Sequence, residues 1–529
     1  MSGGPEARAH GGTAWGRLLA AAVPLCLCAA VPAWSQCPDG TPPPCAARTA
    51  RVAAPNPNSV AVMYLDNESR DTSDAYLADG LTEEITTKLS QIPRLEVTSN
   101  TTMRRYRGPA TLEPTALGRN LRVAQLVSGS VRRAGHRIRV NVELLRARDG
   151  VALWADAYDR TDADLLAIEE EVARAVASAI AGRLLPGEQA KLAARPTQNA
   201  DAYDHFLRGN FFLAQRTPVT ARRAIAEYQA ATDLDPGFAL AFARIGLVYA
   251  LFADWGWPFP GLGNDSLLTR GAAAANHALQ LDSQSADGWI SSGLLRSFLD
   301  PGRFDGVSAA FERALALDPK NAEAHHLFGV MLAIEGRDDD AAAEFRRALD
   351  LDPLRAVTWD NLAWVRRYQG RAEESLQCAD SGLAADPEAF YLYGDRASFR
   401  LSSGDVAGAR ADADAVARSS PADYPFYTEP LRASLEALSG DTAAARARLA
   451  RVAALLSDPT RSNYLAAFGV AMAYVRLGDR ARALSVLEDA RPRGLRIWFL
   501  TRDPGFDPIR QDPRFRALVE QSRPPWAAR

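Results

Sequence analysis

Nothing in this chain supplies a nucleophile beside a base, a glycine-rich loop that cradles phosphate, or a set of metal ligands. That absence weighs against an enzyme and calls for no cofactor and no metal. Positive charge is also scarce: the formal net charge is −3. There is no polycation to bind nucleic acid or anionic lipid non-specifically. Beyond the N-terminal region no apolar run approaches the ~20 residues of a membrane span. Cysteine occurs only five times, and its placement says more than its number. Cys26 and Cys28 fall in an N-terminal apolar run, Cys37 and Cys45 flank a Pro-rich stretch, and Cys378 stands alone.

The first 35 residues have the order of an export signal. Arg8 and Arg17 precede the apolar stretch Leu18 to Ala33, and Ala33-Trp34-Ser35 offers small residues for cleavage before Gln36. Pro24 and Pro32 interrupt the stretch, which speaks against an uncleaved anchor, the other reading. A linker follows over 36–58. Outside the cytoplasm, Cys37 and Cys45 read as a local disulfide across an Asp-Gly turn, because no histidine lies nearby to complete a metal site.

The rest of the chain is organised by a period. Gly302, Gly336, Gly370 and Gly404 lie 34 residues apart, and Pro319, Pro353, Pro387 and Pro421 keep the same step. Asp318, Asp352 and Asp386 immediately precede the first three prolines. A helix–turn–helix unit explains both residues: glycine takes the positive-φ turn, and Asp-Pro ends the second helix. The pattern resembles the tetratricopeptide repeat. That resemblance implies a right-handed α-solenoid, here about eight units over 199–490. Phe328 and Gly329 fall in a first helix; Ala341, Phe345 and Ala348 fall in a second. Asp254 to Gly263 is an aromatic insertion, in which Trp255 and Trp257 either cap a seam or form a binding lip. Gly440 and Gly478 mark turns of degenerate units.

Ahead of the repeats, 59–185 reads as a small mixed α/β domain, so the fold class is α/β followed by all-α. Strands are expected at Ser59–Leu65, Leu95–Thr98, Ala124–Arg133, Arg137–Leu145 and Val151–Tyr158, with a hairpin at Ala134-Gly135-His136. Helices are expected over 75–92, 114–121 and 165–185. Four ordered blocks carry a family likeness: Ser59-Val-Ala-Val, Tyr76 to Ile85, Val127 to Arg133, and Leu153 to Arg160. They resemble the FlgO-like module, similar to the amino-terminal domain of the Tol-system protein TolB. The likeness implies a bacterial protein, periplasmic or cell-envelope associated. Related chains often place the module behind a cyclase, a kinase or a winged-helix domain. Only the signal and linker precede it here, so no such activity carries over.

Candidate residues follow from both parts. The template places His326, Asp360, Trp364, Arg367 and Tyr391 on the concave face, where an exposed Trp beside Arg suits a peptide or partner helix. Packing of Trp364 against the next repeat is the equal alternative. Adjacent His325 and His326 point apart on a helix and do not suit a metal. Asp79, Glu83 and Glu84 form an acidic cluster beside a helix start, which the helix dipole alone explains. Arg132, Arg133, Arg137 and Arg139 make the hairpin basic, as a solvated face or for an anionic partner. Cys378 reads as a small buried hydrophobe. The segment 491–529 ends in Asp512-Pro513, a helix start that suits a closing cap. Together these predict an exported scaffold that binds a protein or peptide, with no nucleic-acid partner. A second reading is a ligand-sensing part of a signalling system; a third is an enzyme with a site around Asp79 to Glu84.

Overall fold

The structure, a computed structural model, describes residues 55–107, 113–255, 257, 259–299, 304–419, 425–456, 464–490 and 496–523. The expected signal segment, the Cys37 and Cys45 pair and Gly302 lie outside the described residues.

The N-terminal domain is a mixed sheet. Its strands are β1 (Ser59–Val62), β2 (Asp66–Asn67), β3 (Glu96–Val97), β4 (Gln125–Ala134), β5 (Arg137–Arg146) and β6 (Val151–Thr161). They run in the order β3-β1-β4-β5-β6, with β2 beside β4. β1 is parallel to both β3 and β4, whereas β4, β5 and β6 are antiparallel. All four residues of β1 are buried, as a parallel central strand requires. Helices α1 (Ala75–Ser90), α2 (Asn100–Arg104), α3 (Pro114–Leu121), α4 (Leu165–Ala181) and α5 (Pro186–Ala193) cover the sheet. The expected continuous helix over 165–185 is in fact two. Gly182 at φ +72° stops α4, and Pro186 opens α5. α2 was not legible because five residues show no period; it starts because the Ser99 side chain accepts a hydrogen bond from the Thr102 amide.

Eight helix pairs follow: α6 (Ala200–Ala214) with α7 (Pro218–Leu234), α8 (Ala239–Trp255) with α9 (Asn264–Leu281), α10 (Ala286–Leu299) with α11 (Phe304–Leu317), and α12 (Ala322–Glu335) with α13 (Asp338–Leu351). The others are α14 (Ala356–Tyr368) with α15 (Ala372–Ala385), α16 (Phe390–Ser402) with α17 (Val406–Ser419), α18 (Pro425–Leu438) with α19 (Thr442–Leu456), and α20 (Tyr464–Arg476) with α21 (Arg480–Ala490). Gly336, Gly370, Gly404, Gly440 and Gly478 all sit at positive φ between the helices of a pair. α13 and α15 each end immediately before an Asp-Pro. From α8 onward first helices pack against each other along the array, and each first helix packs on its own second helix.

The chain finishes with α22 (Arg496–Thr501), a 3-10 turn over Pro504–Ile509 and α23 (Pro513–Ser522). Asp512 caps α23 by accepting from the Arg514 amide at 2.8 Å. This tail does more than cover the last pair. α22 packs on α12 as well as on α20. The N-terminal domain is also docked on the array. Ser99 donates to Asp352 at 2.7 Å, Tyr76 to Asp204 at 2.5 Å, and the Lys320 ammonium donates to the Leu95 carbonyl at 3.3 Å.

Close approach within a pair depends on glycine facing an aromatic ring. A Cβ on Gly329 would lie 2.7 Å from the buried ring of Phe345. Gly329→Ala is therefore expected to cost about 1–3 kcal/mol by overpacking. Gly370→Ala meets no atom within 4 Å, so only its positive φ opposes it, at about 1 kcal/mol. Thermal unfolding of both variants beside the parent checks this: a larger loss at Gly370 would refute the packing account.

Candidate binding pocket inside the repeat array

One cavity of about 190 Å3 is lined from six first helices (α8, α12, α14, α16, α18 and α20), from α22, and from Arg216 after α6. Helices from the second to the eighth pair thus meet around one space. Four of the five candidate residues, His326, Asp360, Trp364 and Tyr391, line it. Arg367 does not: its guanidinium grips Asp503 in the tail, at 2.6 and 3.0 Å. The expectation of an exposed Trp364 and Arg367 on an open groove is corrected here. Trp364 is only 9% exposed and stacks edge-on against Phe399 and, from the eighth pair, Phe468. The curl of the array brings the tail across that face.

The wall is aromatic. Trp255, from the inserted segment, meets Tyr391 with ring centroids 6.0 Å apart. Trp257 is buried against Phe252 and closes the seam. Phe499 of α22 also faces the space. Polar groups are set into this wall. Glu323 is held by Arg355 and lies 3.8 Å from Arg216. Although burial opposes ionisation, these two arginines pull its carboxyl down to about 2. Arg216 adopts a left-handed φ of +50°, uncommon for a side-chain-bearing residue. Burial, with Arg355 nearby, drops His326 to about 3, so its imidazole is neutral at pH 7. Its Nδ1 contacts the Thr358 hydroxyl at 3.0 Å, while His325 is tied to Glu344 and the Pro319 carbonyl. The two rings serve different neighbours.

Asp360 and Asp395 form the unusual pair. Burial, then the neighbouring Asp395, pushes Asp360 well above the usual carboxylate range. Burial pushes Asp395 up to about 6, against hydrogen bonds from the Trp364 indole at 3.0 Å and from Asp360. Like charges in one buried site share a proton. Asp360 is the protonated member, and its Oδ1 has no hydrogen-bond partner among the described residues.

The acids of the N-terminal domain are arranged differently. Asp79 pairs with Arg107 at 2.8 Å, and Glu83 pairs with Arg104 at 2.6 Å and accepts from Tyr64. Burial raises Glu84 to about 7 and lifts Glu169, which accepts from Tyr203, well above the usual carboxylate range. Each sits in packing between α1, α4 and the array. Among the described residues no cluster of three or more His, Cys, Asp or Glu is placed to hold a metal, and no helix is long and apolar enough to cross a membrane. Cys378 is buried, and among the described residues it is unpaired.

Residues 293–356 and 361–424 match the tetratricopeptide repeat family. Those two stretches are tetratricopeptide repeats. The match does not reach the α/β domain. Over 266 residues the chain is 32% identical to putative adenylate cyclase 3 of Rhizobium meliloti (strain 1021), covering 50% of this chain and 45% of that protein. The chain thus spans under half the length of that relative. PilF of Pseudomonas aeruginosa is similar at 18% identity and a TM-score of 0.33, over 42% of this chain and 95% of that one. A thermophilic TPR protein of Thermus thermophilus gives 18% and 0.33, over 38% and 99%.

The carboxyl pair sets a pH dependence. Carboxyl groups whose folded pKa is raised stabilise the fold fully below the unfolded value, ~4, and that contribution is lost as pH rises through the folded value, about 6 for Asp395. Asp360→Asn keeps a donor to Asp395 and removes one titrating group. Its melting temperature, relative to the parent, should rise as pH climbs above the unfolded carboxylate value, ~4, and through about 6. An offset independent of pH would contradict the shared proton.

Proposed function

We propose that the chain is an exported, non-enzymatic interaction protein of a bacterial envelope, in which the repeat array is a scaffold for a protein partner. The tetratricopeptide array carries this reading, since stacked repeats present extended recognition surfaces. The α/β domain, FlgO-like by its four sequence blocks, offers the contact surface. Arg132 and Arg139 face each other directly across β4 and β5, and both are exposed. Among the described residues neither has an ion pair, although Asp159, which pairs with Arg137, stands opposite Arg139 on β6. Like charges opposed across strands are destabilising, and an acidic partner surface relieves them. Arg133 is otherwise employed, donating to Tyr76 at 2.9 Å. The test is capture of envelope proteins by the mature chain and by an Arg132→Glu, Arg139→Glu variant of equal melting temperature. A partner held by the parent and lost by the variant supports the reading. Equal capture by both sinks the hairpin as the contact, and no capture by either sinks the scaffold.

A second reading, ligand sensing, is favoured by the cavity on the inner face of the array. Its walls come from six of the eight pairs, so occupancy bears on how those pairs are held together. The relative's name, putative adenylate cyclase 3, agrees with a place in signalling for such an array. The chain carries no cyclase role in this proposal.

A further inference from the structure

Arg476 is a poorly satisfied cation of the array. It extends from α20 into the cavity wall, and among the described residues its only hydrogen-bond partner is the Ser434 hydroxyl, at 3.1 Å. Its Nη2 is buried with no partner there. Asp503, the acid that influences it most, is already gripped through both oxygens by Arg367. Burial lowers the Arg476 guanidinium to about 10, so it stays charged at neutral pH. A buried cation without a counter-ion is costly, and the guanidinium fork suits a carboxylate or a phosphate.

The same cavity holds an acceptor in the same condition, Asp360, which is 8% exposed and has an orphaned Oδ1 beside the Asp395 carboxylate. Trp364, Phe468 and Phe499 supply apolar wall. Among the described residues, a guanidinium with no ion-pair partner and a carboxyl pair with none line one space and call for a ligand carrying both charges. That selects a zwitterion over a phosphate. Size narrows it further. An engineered cavity of about 150 Å3 accepts benzene, so about 190 Å3 has room for a molecule of roughly amino-acid size.

Resting on the ligand-sensing reading, we propose that this cavity is a site for one free α-amino acid. Its carboxylate meets Arg476, its ammonium meets Asp360 and Asp395, and its side chain lies on the aromatic wall.

The test uses the full chain with each of the twenty standard amino acids, read by thermal shift and then calorimetry. For the amino acid that shifts most, the same is done with its amide and with its des-amino acid. One amino acid should bind one-to-one, with both analogues weaker by at least about tenfold. Arg476→Gln should lose at least about tenfold in affinity as well. An amide as tight as the parent acid overturns the assignment, even if the Arg476 variant fails to fold. Binding of des-amino acids or simple amines, with no amino acid bound, overturns the ligand class but leaves the cavity as a sensor site. No saturable binding by any compound overturns both.

Discussion

The ion pair between Arg367 and Asp503 fixes the form of the inner face. Two guanidinium nitrogens meet the two carboxylate oxygens, the side chains are 6% and 1% exposed, and the partners lie 136 residues apart. Asp503 also accepts from the Gly505 amide, so one residue both caps the 3-10 turn and docks it on α14. With that turn in place, Trp498 covers Gly336 and Arg502 reaches Asp338. A repeat array otherwise open along its inner side becomes a wall around a small space. Breaking one half of such a buried pair costs about 3–5 kcal/mol, because the other charge is left behind.

Docking of the α/β domain extends the same logic outward. One continuous apolar cluster runs from Val60 through the array to Leu518. α1 serves both parts, its leucines on the sheet and Gly80 close to Leu207 of α6. The acids at Asp79 to Glu84 belong to this joint. Asp79 and Glu83 are held by arginines, and burial in the joint accounts for the raised state of Glu84.

Much of the fold was legible because repeats write their geometry locally. Glycine at positive φ and Asp-Pro at a helix end are short-range requirements, so a 34-residue period in the sequence translates directly into helix pairs. The paired strands and the Gly135 hairpin were legible for the same reason. The closure was not. Superhelical curvature accumulates from small rotations at each pair, and no local pattern announces that α20 will reach α14 and α22 will reach α12. His326, Asp360, Trp364 and Tyr391 were found because the template names inward positions, but their surroundings were read as open. Arg476 was missed entirely. In sequence it is one more arginine at a helix end, and only burial without a carboxylate marks it out.

Hydrogen exchange of an Arg367→Met variant beside the parent tests the closure most directly. Loss of the pair should speed exchange throughout 496–523, while α12 and α14, held by their own pairs, keep their protection. Unchanged protection of the tail would contradict the account: the tail would then be held by its other contacts, and the cavity would not depend on this pair.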